Sequence, residues 1–199
     1  MTHYTIFNDP IHGSTSVPHG LLSSLVDHPI FQRLRRVRQI GLGHLVFPGG
    51  EHTRFGHALG AMHLIRRILE RLQLKGVSIS AEEIEAASAA ALLHDIGHGP
   101  LSHALEHFLI QDFHHEMMTD ALMQRLNDEL HGKLDLAIAI FKGTYNRPFF
   151  HQLVSSQLDV DRLDYMLRDS FHTGVKEGQV GLERLIETLA VEQDRIFVL

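Results

Sequence analysis

"ALLHDIGHGPLSHALEHF", residues 91–108, sets His94, His98, His103 and His107 in one short segment, with Asp95 beside the first and Gly97, Gly99 and Pro100 between them. The apolar lead reads as the last turn of a helix, which the glycines end. Pro100 suits the first turn of a following helix, because its missing N–H would have no intrahelical partner there. A tight glycine turn between two helices lets His94 and Asp95 face one cavity. An isolated His-Asp pair would be only a hydrogen-bonded helix end, so its meaning depends on partners elsewhere in the chain.

Outward from this joint the pattern is helical. From Thr53 to about Leu74, Phe55, Leu59, Met62, Ile65, Leu69 and Leu72 recur at spacings of three and four, the mark of a buried stripe, and Gly76 stops the helix. "SAEE", residues 80–83, has the form of a capping box at the start of the helix that ends at His94. Before them, "LLSSLVDH" and "FQRLRRVRQI" read as helices after a short extended start, and "GLGHLVFPGG" as a loop or small hairpin. Further helices are expected over 100–110, 114–130, 133–142, 148–168 with a break, and 181–188. "TLAVEQDRIFVL" reads as strand, turn and strand. The expected fold class is mostly α, with short β-hairpin elements at the N-terminal region and the C-terminal end, built as a single domain over residues 1–199.

The chain has 199 residues, 44% of them hydrophobic, which suffices for one sizeable core. It contains no cysteine, so thiolate metal sites and cysteine nucleophiles are excluded and any metal must be held by nitrogen and oxygen. No segment approaches the roughly 18 apolar residues of a membrane span, and the expected location is cytoplasmic, with no membrane partner. The formal net charge of -6 argues against broad attraction to nucleic acid.

Two segments supply partners for His94 and Asp95. "HTRFGHALG" places His57 near the start of the long helix. "DVDRLDYMLRD" places Asp164, Tyr165, Arg168 and Asp169 three, four, seven and eight residues after Asp161, along one helical face suited to ligand or substrate contact. The order His57, His94, Asp95, Asp161 resembles the HD-domain metal phosphohydrolases. "NDPIHG", "FQRLRRVRQIG", "VFPGGEHTRFGHALG", "HDIGHGPLSHALE" and "DVDRLDYMLRDS", in order from Asn8 to Ser170, resemble the deoxynucleotide triphosphohydrolase branch, including its sterile-alpha-motif and HD-domain type. No sterile-alpha-motif domain is expected before Asn8.

The resemblance implies an HD-domain helical fold with its metal-binding core at about residues 50–170. One divalent transition metal, Fe, Mn, Co, Ni or Zn, is implied on His57, His94, Asp95 and Asp161, with Mg a candidate companion of the nucleotide. It implies hydrolysis of a dNTP to deoxynucleoside and tripolyphosphate, by attack of an activated water at the α-phosphorus. His98, His103, Glu106 and His115 fall on the catalytic group that handles protons; Glu106 stands where relatives often have Asp. Arg54 and Arg162 fall on phosphate contacts, Arg162 standing where some relatives carry Lys. Tyr165, Asp169 and Gln39 fall on phosphate and sugar contacts. Asp27, Gln32 and Arg35 match a motif by which some members hold a regulatory guanine nucleotide between subunits, which would make the protein a homo-oligomer with a guanine nucleotide activator; Thr5 departs from the basic residue used there. Relatives continue well beyond the position of Leu199, so the chain is expected to lack the family's C-terminal part.

The alternatives are an HD phosphohydrolase acting on a nucleotide monophosphate, an alarmone or a cyclic diester, and a nucleotide-binding regulatory module with little turnover. No G-x-x-x-x-G-K-[ST] loop supports a P-loop enzyme, and "HHEMMTD" fails as a zincin motif because Thr119 stands where the second histidine would be needed. Arg33, Arg35, Arg36 and Arg38 read as a solvated helix face, and His44, His63, His107 and His114 as surface or packing histidines.

Overall fold

The computed structural model describes residues 3–101, 114–178 and 180–199. Its first element is a hairpin, β1 (Tyr4–Asp9) antiparallel to β2 (Gly13–Pro18), closed where Asp9 pairs with Gly13. The Asp9 carboxylate builds the turn: Oδ1 accepts the N–H groups of Ile11 at 2.8 Å and His12 at 2.9 Å. Val17 is buried and the Phe7 ring meets that of Phe55 edge-on at 5.9 Å, which seats the hairpin on the long helix.

The next two helices are shorter than the pattern suggests. After α1 (Leu21–Asp27), α2 covers only Pro29–Gln32 and tightens into a 3₁₀ turn over Arg33–Arg36. The expected helix does not reach Ile40 because the backbone of 37–39 pairs elsewhere. Gln39 N–H donates to the His52 carbonyl at 3.0 Å, Arg54 N–H to that of Val37 at 2.9 Å, and Arg38 bridges Thr53. Gly41–Leu45 is a 3₁₀ turn, so "GLGHLVFPGG" is a loop and not a hairpin.

The centre is α3 (Arg54–Leu74) packed against α4 (Ala81–Leu93) on one side and α8 (Val160–Thr173) on another. All six stripe residues of α3 are buried, but so are Ala58, Ala61, Leu64 and Ile68, so this helix is enclosed rather than amphipathic. Ala86, Ala87, Ala89, Ala90 and Ala91 are buried on α4, where small side chains let its neighbours come close. Its capping box forms as expected: Glu83 N–H donates to Ser80 Oγ at 3.1 Å and Ser80 N–H to Glu83 Oε2 at 2.8 Å. Glu83 Oε1 also accepts from Tyr145 Oη at 2.8 Å and Arg147 Nη1 at 2.7 Å.

The remaining helices are α5 (His115–Glu129), α6 (Asp135–Phe141), α7 (Pro148–Val154) and α9 (Leu182–Thr188). The expected break within 148–168 falls between α7 and α8, where the Asp159 carboxylate accepts N–H bonds from Ser156 and Arg162 and caps α8. The chain closes with the hairpin β3 (Leu189–Glu192) and β4 (Arg195–Val198). Beyond Leu101, the helix expected over 100–110 lies outside the described residues. Among the described residues, no helix is long and apolar enough to cross a membrane.

Candidate metal centre

Three helices meet at one polar point. His57 comes from the second turn of α3, His94 from the residue that ends α4, and Asp161 from the first turn of α8. Among the described residues these three form a group whose donor atoms lie within 4.8 Å of one another. His57 Nε2 is 3.2 Å from His94 Nε2 and 3.0 Å from Asp161 Oδ1, and His94 Nε2 is 3.5 Å from Asp161 Oδ1.

Both imidazoles are held by their other nitrogen. His57 Nδ1 donates to the buried Asp164 carboxylate at 2.8 Å, and His94 Nδ1 to the Ala91 carbonyl at 2.7 Å. Each neutral ring therefore carries its lone pair on Nε2, and the two lone pairs converge. Donors about 2.1 Å from one ion at adjacent coordination positions are about 3 Å apart, so spacing, tautomers and N/O chemistry all fit a divalent metal.

Asp95 borders this group. Its Oδ2 lies 3.5 Å from His57 Nε2 and its Oδ1 3.6 Å from His94 Nε2, and it accepts a hydrogen bond from Arg54 Nη1. Burial works against its charge, but His94, Arg54 and His98 hold its carboxyl well below the usual range. Burial likewise opposes a charged His57, yet Asp161, Asp164 and Asp95 outweigh it and raise that imidazole to about 10. Nearby carboxylates also raise His94 against its burial, and the two histidines lower Asp161 against its own. The centre is built to balance positive charge against carboxylates.

A cavity of about 270 Å³ opens beside the centre, bordered by His94, Asp95, Asp161, His115, Glu116 and His151. His98 Nε2 lies 3.3 Å from Asp95 Oδ1, and its ring stacks on His115 with centroids 3.9 Å apart. Burial pushes His98 down to about 4, so it is a neutral imidazole at pH 7. His103 and Glu106 lie outside the described residues. Glu116 and His151 were not anticipated; His151 Nδ1 donates to the Ile140 carbonyl at 2.9 Å.

Of the expected substrate residues, Arg54 is buried beside Asp95, while the Arg162 side chain is about half exposed. Tyr165 and Asp169 border a second, more apolar cavity of about 370 Å³ with Ile40, Phe47 and Met166. The Asp169 carboxylate is fixed by His52 Nε2 at 2.6 Å, a residue the pattern did not single out. Gln39 is half-buried beside that cavity's Ile40. Gln32 and Arg35 adjoin each other, Arg35 Nε donating to Gln32 Oε1 at 2.8 Å while its guanidinium covers the Phe55 ring; Asp27 is exposed.

The face from Asp161 to Asp169 is divided. Asp161, Tyr165 and Asp169 reach cavities, whereas Asp164 and Arg168 are buried against each other. The basic cluster is also not one solvated face. Arg33 turns inward and donates to the carbonyls of Ile96 and His98, clamping the turn that follows Asp95, and Arg38 pairs with Glu51. From the other side Thr119 Oγ1 donates to the His94 carbonyl at 3.1 Å and accepts the Gly97 N–H at 3.0 Å. Gly97 is required there, since a Cβ would overlap the backbone of α5.

The HD-domain family model matches residues 54–167, more than half of the chain, a span within which His57, His94, Asp95 and Asp161 fall. The chain belongs to the HD-domain family. This HD domain is 37% identical over 201 residues to the uncharacterized protein YwfO of Bacillus subtilis, covering 97% of this chain and 46% of that protein. It is 33% identical over 211 residues to the deoxynucleoside triphosphate triphosphohydrolase SAMHD1 homolog of Dictyostelium discoideum, covering 96% and 40%. The fold matches a crystal structure of a phosphohydrolase from Bacteroides thetaiotaomicron with a TM-score of 0.95 and 52% identity, covering 98% of this chain and 49% of that one. The HD domain thus spans less than half the length of these relatives.

Proposed function

We propose that this HD domain carries the catalytic centre of a metal-dependent phosphohydrolase that cleaves a dNTP to deoxynucleoside and tripolyphosphate. The observation that carries the reading is the arrangement of α8. Asp161 borders the polar cavity at the candidate metal, while Tyr165 and Asp169, one and two turns further on, border the apolar cavity. Eight helical residues span about 12 Å, a separation that suits phosphates against one cavity and a nucleoside against the other. The similarity to the Dictyostelium enzyme supports the substrate class.

His57, His94 and Asp161, with Asp95 beside them, would hold the ion, which supplies Lewis acidity toward the phosphate and lowers the pKa of water. Arg54 and Arg162 take phosphate charge, and Asp169, oriented by His52, accepts from a sugar hydroxyl. Attack of water at the α-phosphorus breaks the bond from Pα to O5′; the water loses a proton and the departing oxygen gains one. His98 enters as a neutral imidazole that can accept a proton, and its stacked neighbour His115, with His103 and Glu106, completes the group that handles protons. Asp27, Gln32 and Arg35 are assigned to a regulatory guanine nucleotide at a subunit contact.

Incubation with each dNTP in turn and Fe, Mn, Co, Ni or Zn, with every product identified, tests the reading. Deoxynucleoside with tripolyphosphate is expected. Release of inorganic phosphate without tripolyphosphate would instead assign the centre to another HD reaction, and nucleotide binding without turnover would make the chain a binding module.

A further inference from the structure

We infer that the metal centre extends through Asp164 to the turn of the N-terminal hairpin, and that Asp164 is the positioning residue that presents His57 Nε2 to the ion. This rests on the reading that the His57, His94 and Asp161 cluster holds a divalent metal.

Asp164 is fully buried and its carboxylate is saturated. Oδ1 accepts from His12 Nε2 at 2.7 Å and Arg168 Nη2 at 2.9 Å; Oδ2 accepts from His57 Nδ1 and Arg168 Nε, both at 2.8 Å. Four donors use the roughly four acceptor positions of a carboxylate. Arg168 is fixed in turn by Asp9, its Nη1 donating to Oδ2 at 2.8 Å. The other oxygen of Asp9 holds the backbone N–H of His12. Asp9 therefore sets the guanidinium that grips Asp164 and holds the backbone of His12, whose imidazole also reaches Asp164, and the network leads from the hairpin turn to the metal-facing ring.

The two histidines of the centre are held differently. His94 donates to a carbonyl three residues back on its own helix, so its orientation is intrinsic to α4. His57 donates to a carboxylate 107 residues away, so its orientation depends on tertiary structure that includes residues 9 and 12. A carboxylate on Nδ1 fixes the ring and its tautomer and raises the basicity of the nitrogen that meets the metal. A purely structural ion pair needs Arg168 and a carboxylate; it does not need two imidazoles on the same carboxylate, one of them facing the candidate ligands.

The test uses the purified chain, stripped with chelator and titrated with Co²⁺ alone, reading affinity and the visible absorption band. Asp164→Asn keeps the shape but loses the charge, and is expected to weaken Co²⁺ binding about 10- to 100-fold and to shift the band. His12→Gln, which leaves Arg168 on Asp164, should weaken binding by less. Leu69→Ala, a core truncation three turns beyond His57, should lower the melting temperature with affinity and band unchanged. A folded Asp164→Asn with wild-type affinity and band overturns the inference alone, as does an equal loss of affinity in Leu69→Ala. If Asp164→Asn does not fold, His12→Gln decides, and wild-type binding by it overturns the inference. Failure of the wild-type chain to bind any Co²⁺ overturns the metal reading, and this inference with it.

Discussion

Gly60 of α3 faces Asp164 of α8 so closely that a methyl group at position 60 would overlap the Asp164 carboxylate and crowd Arg168. The absence of a side chain at this point lets a buried carboxylate reach His57. Gly60→Ala should therefore cost about 1–3 kcal/mol of stability, the usual range for overpacking a filled interior, and should also weaken metal binding. Gly56, one turn earlier, gives the contrast: a Cβ there would lie 3.4 Å from Arg168 Nη1, an ordinary contact. Thermal melting and Co²⁺ titration of both variants check this. Equal behaviour of Gly56→Ala and Gly60→Ala would show that the packing at Asp164 is not what matters.

The ligand assignment has a direct consequence for metal content. His94→Ala and Asp161→Ala each remove one donor from the described cluster of three. Metal retained after dialysis against chelator should fall sharply in both, as measured by elemental analysis. Wild-type occupancy in both would remove the assignment. Asp95→Ala removes the carboxylate that borders this group. Its carboxylate is paired with Arg54, so this variant should lose phosphate handling as well as any direct metal contact.

How far the sequence disclosed this centre depends on how each residue earns its place. His57, His94 and Asp161 were expected from the resemblance because their sequence blocks fall in order, and the structure brings these three together with Asp95 at their border. Asp164 and Arg168 share a helical face with Asp161 in any periodicity plot, and only the tertiary fold shows that they turn into the core. His12 and Asp9 act on a residue some 150 positions away, a relation no local pattern carries. Arg33 reads as one more surface charge until the carbonyls of Ile96 and His98 are seen beneath it. The helix pattern from Phe31 to Ile40 failed for a similar reason, since the backbone of 37–39 gains more by pairing with 52–54 than by continuing a helix.

The stacked pair of His98 and His115 predicts a catalytic loss separable from binding. Removing a proton-handling group typically costs about 10²- to 10⁴-fold in rate. With metal and dNTP saturating, His98→Ala and His115→Ala should each lower kcat within that range while metal content stays at the wild-type level. Wild-type turnover by both would mean that protons are managed elsewhere, and Glu116 and His151, which border the same cavity, would become the next residues to replace.

A stability control lies far from this chemistry. Glu83 closes the capping box of α4 and receives Tyr145 and Arg147, so Glu83→Ala removes a cap, takes the carboxylate from Tyr145 Oη and leaves Arg147 only its bonds to the Ser78 carbonyl and Asp194. The expected cost is about 1–3 kcal/mol, measured by urea denaturation, with Co²⁺ affinity unchanged. A concurrent loss of affinity would show that the start of α4 communicates with His94 at its other end.

The charge balance at His57 predicts opposite pH responses for the metal-free and metal-loaded protein. In the metal-free state its imidazole is raised to about 10 by the surrounding carboxylates, above its ordinary value of 6.5. The folded protein therefore binds this proton more tightly than the unfolded chain does. That contribution is complete below pH 6.5 and is lost as the pH climbs from 6.5 through 10. The urea midpoint of the metal-free chain should fall over that interval. Metal binding requires the unprotonated ring, so Co²⁺ must displace the proton and its affinity should rise over the same interval. The two trends should cross: the added stability on loading with Co²⁺ should be greater at pH 9 than at pH 7. Asp164→Asn removes one of the carboxylates that raise His57 and should flatten both trends. A metal-free urea midpoint that does not change between pH 6.5 and 10, in a wild-type chain that binds Co²⁺, would mean that His57 is neutral before the ion arrives.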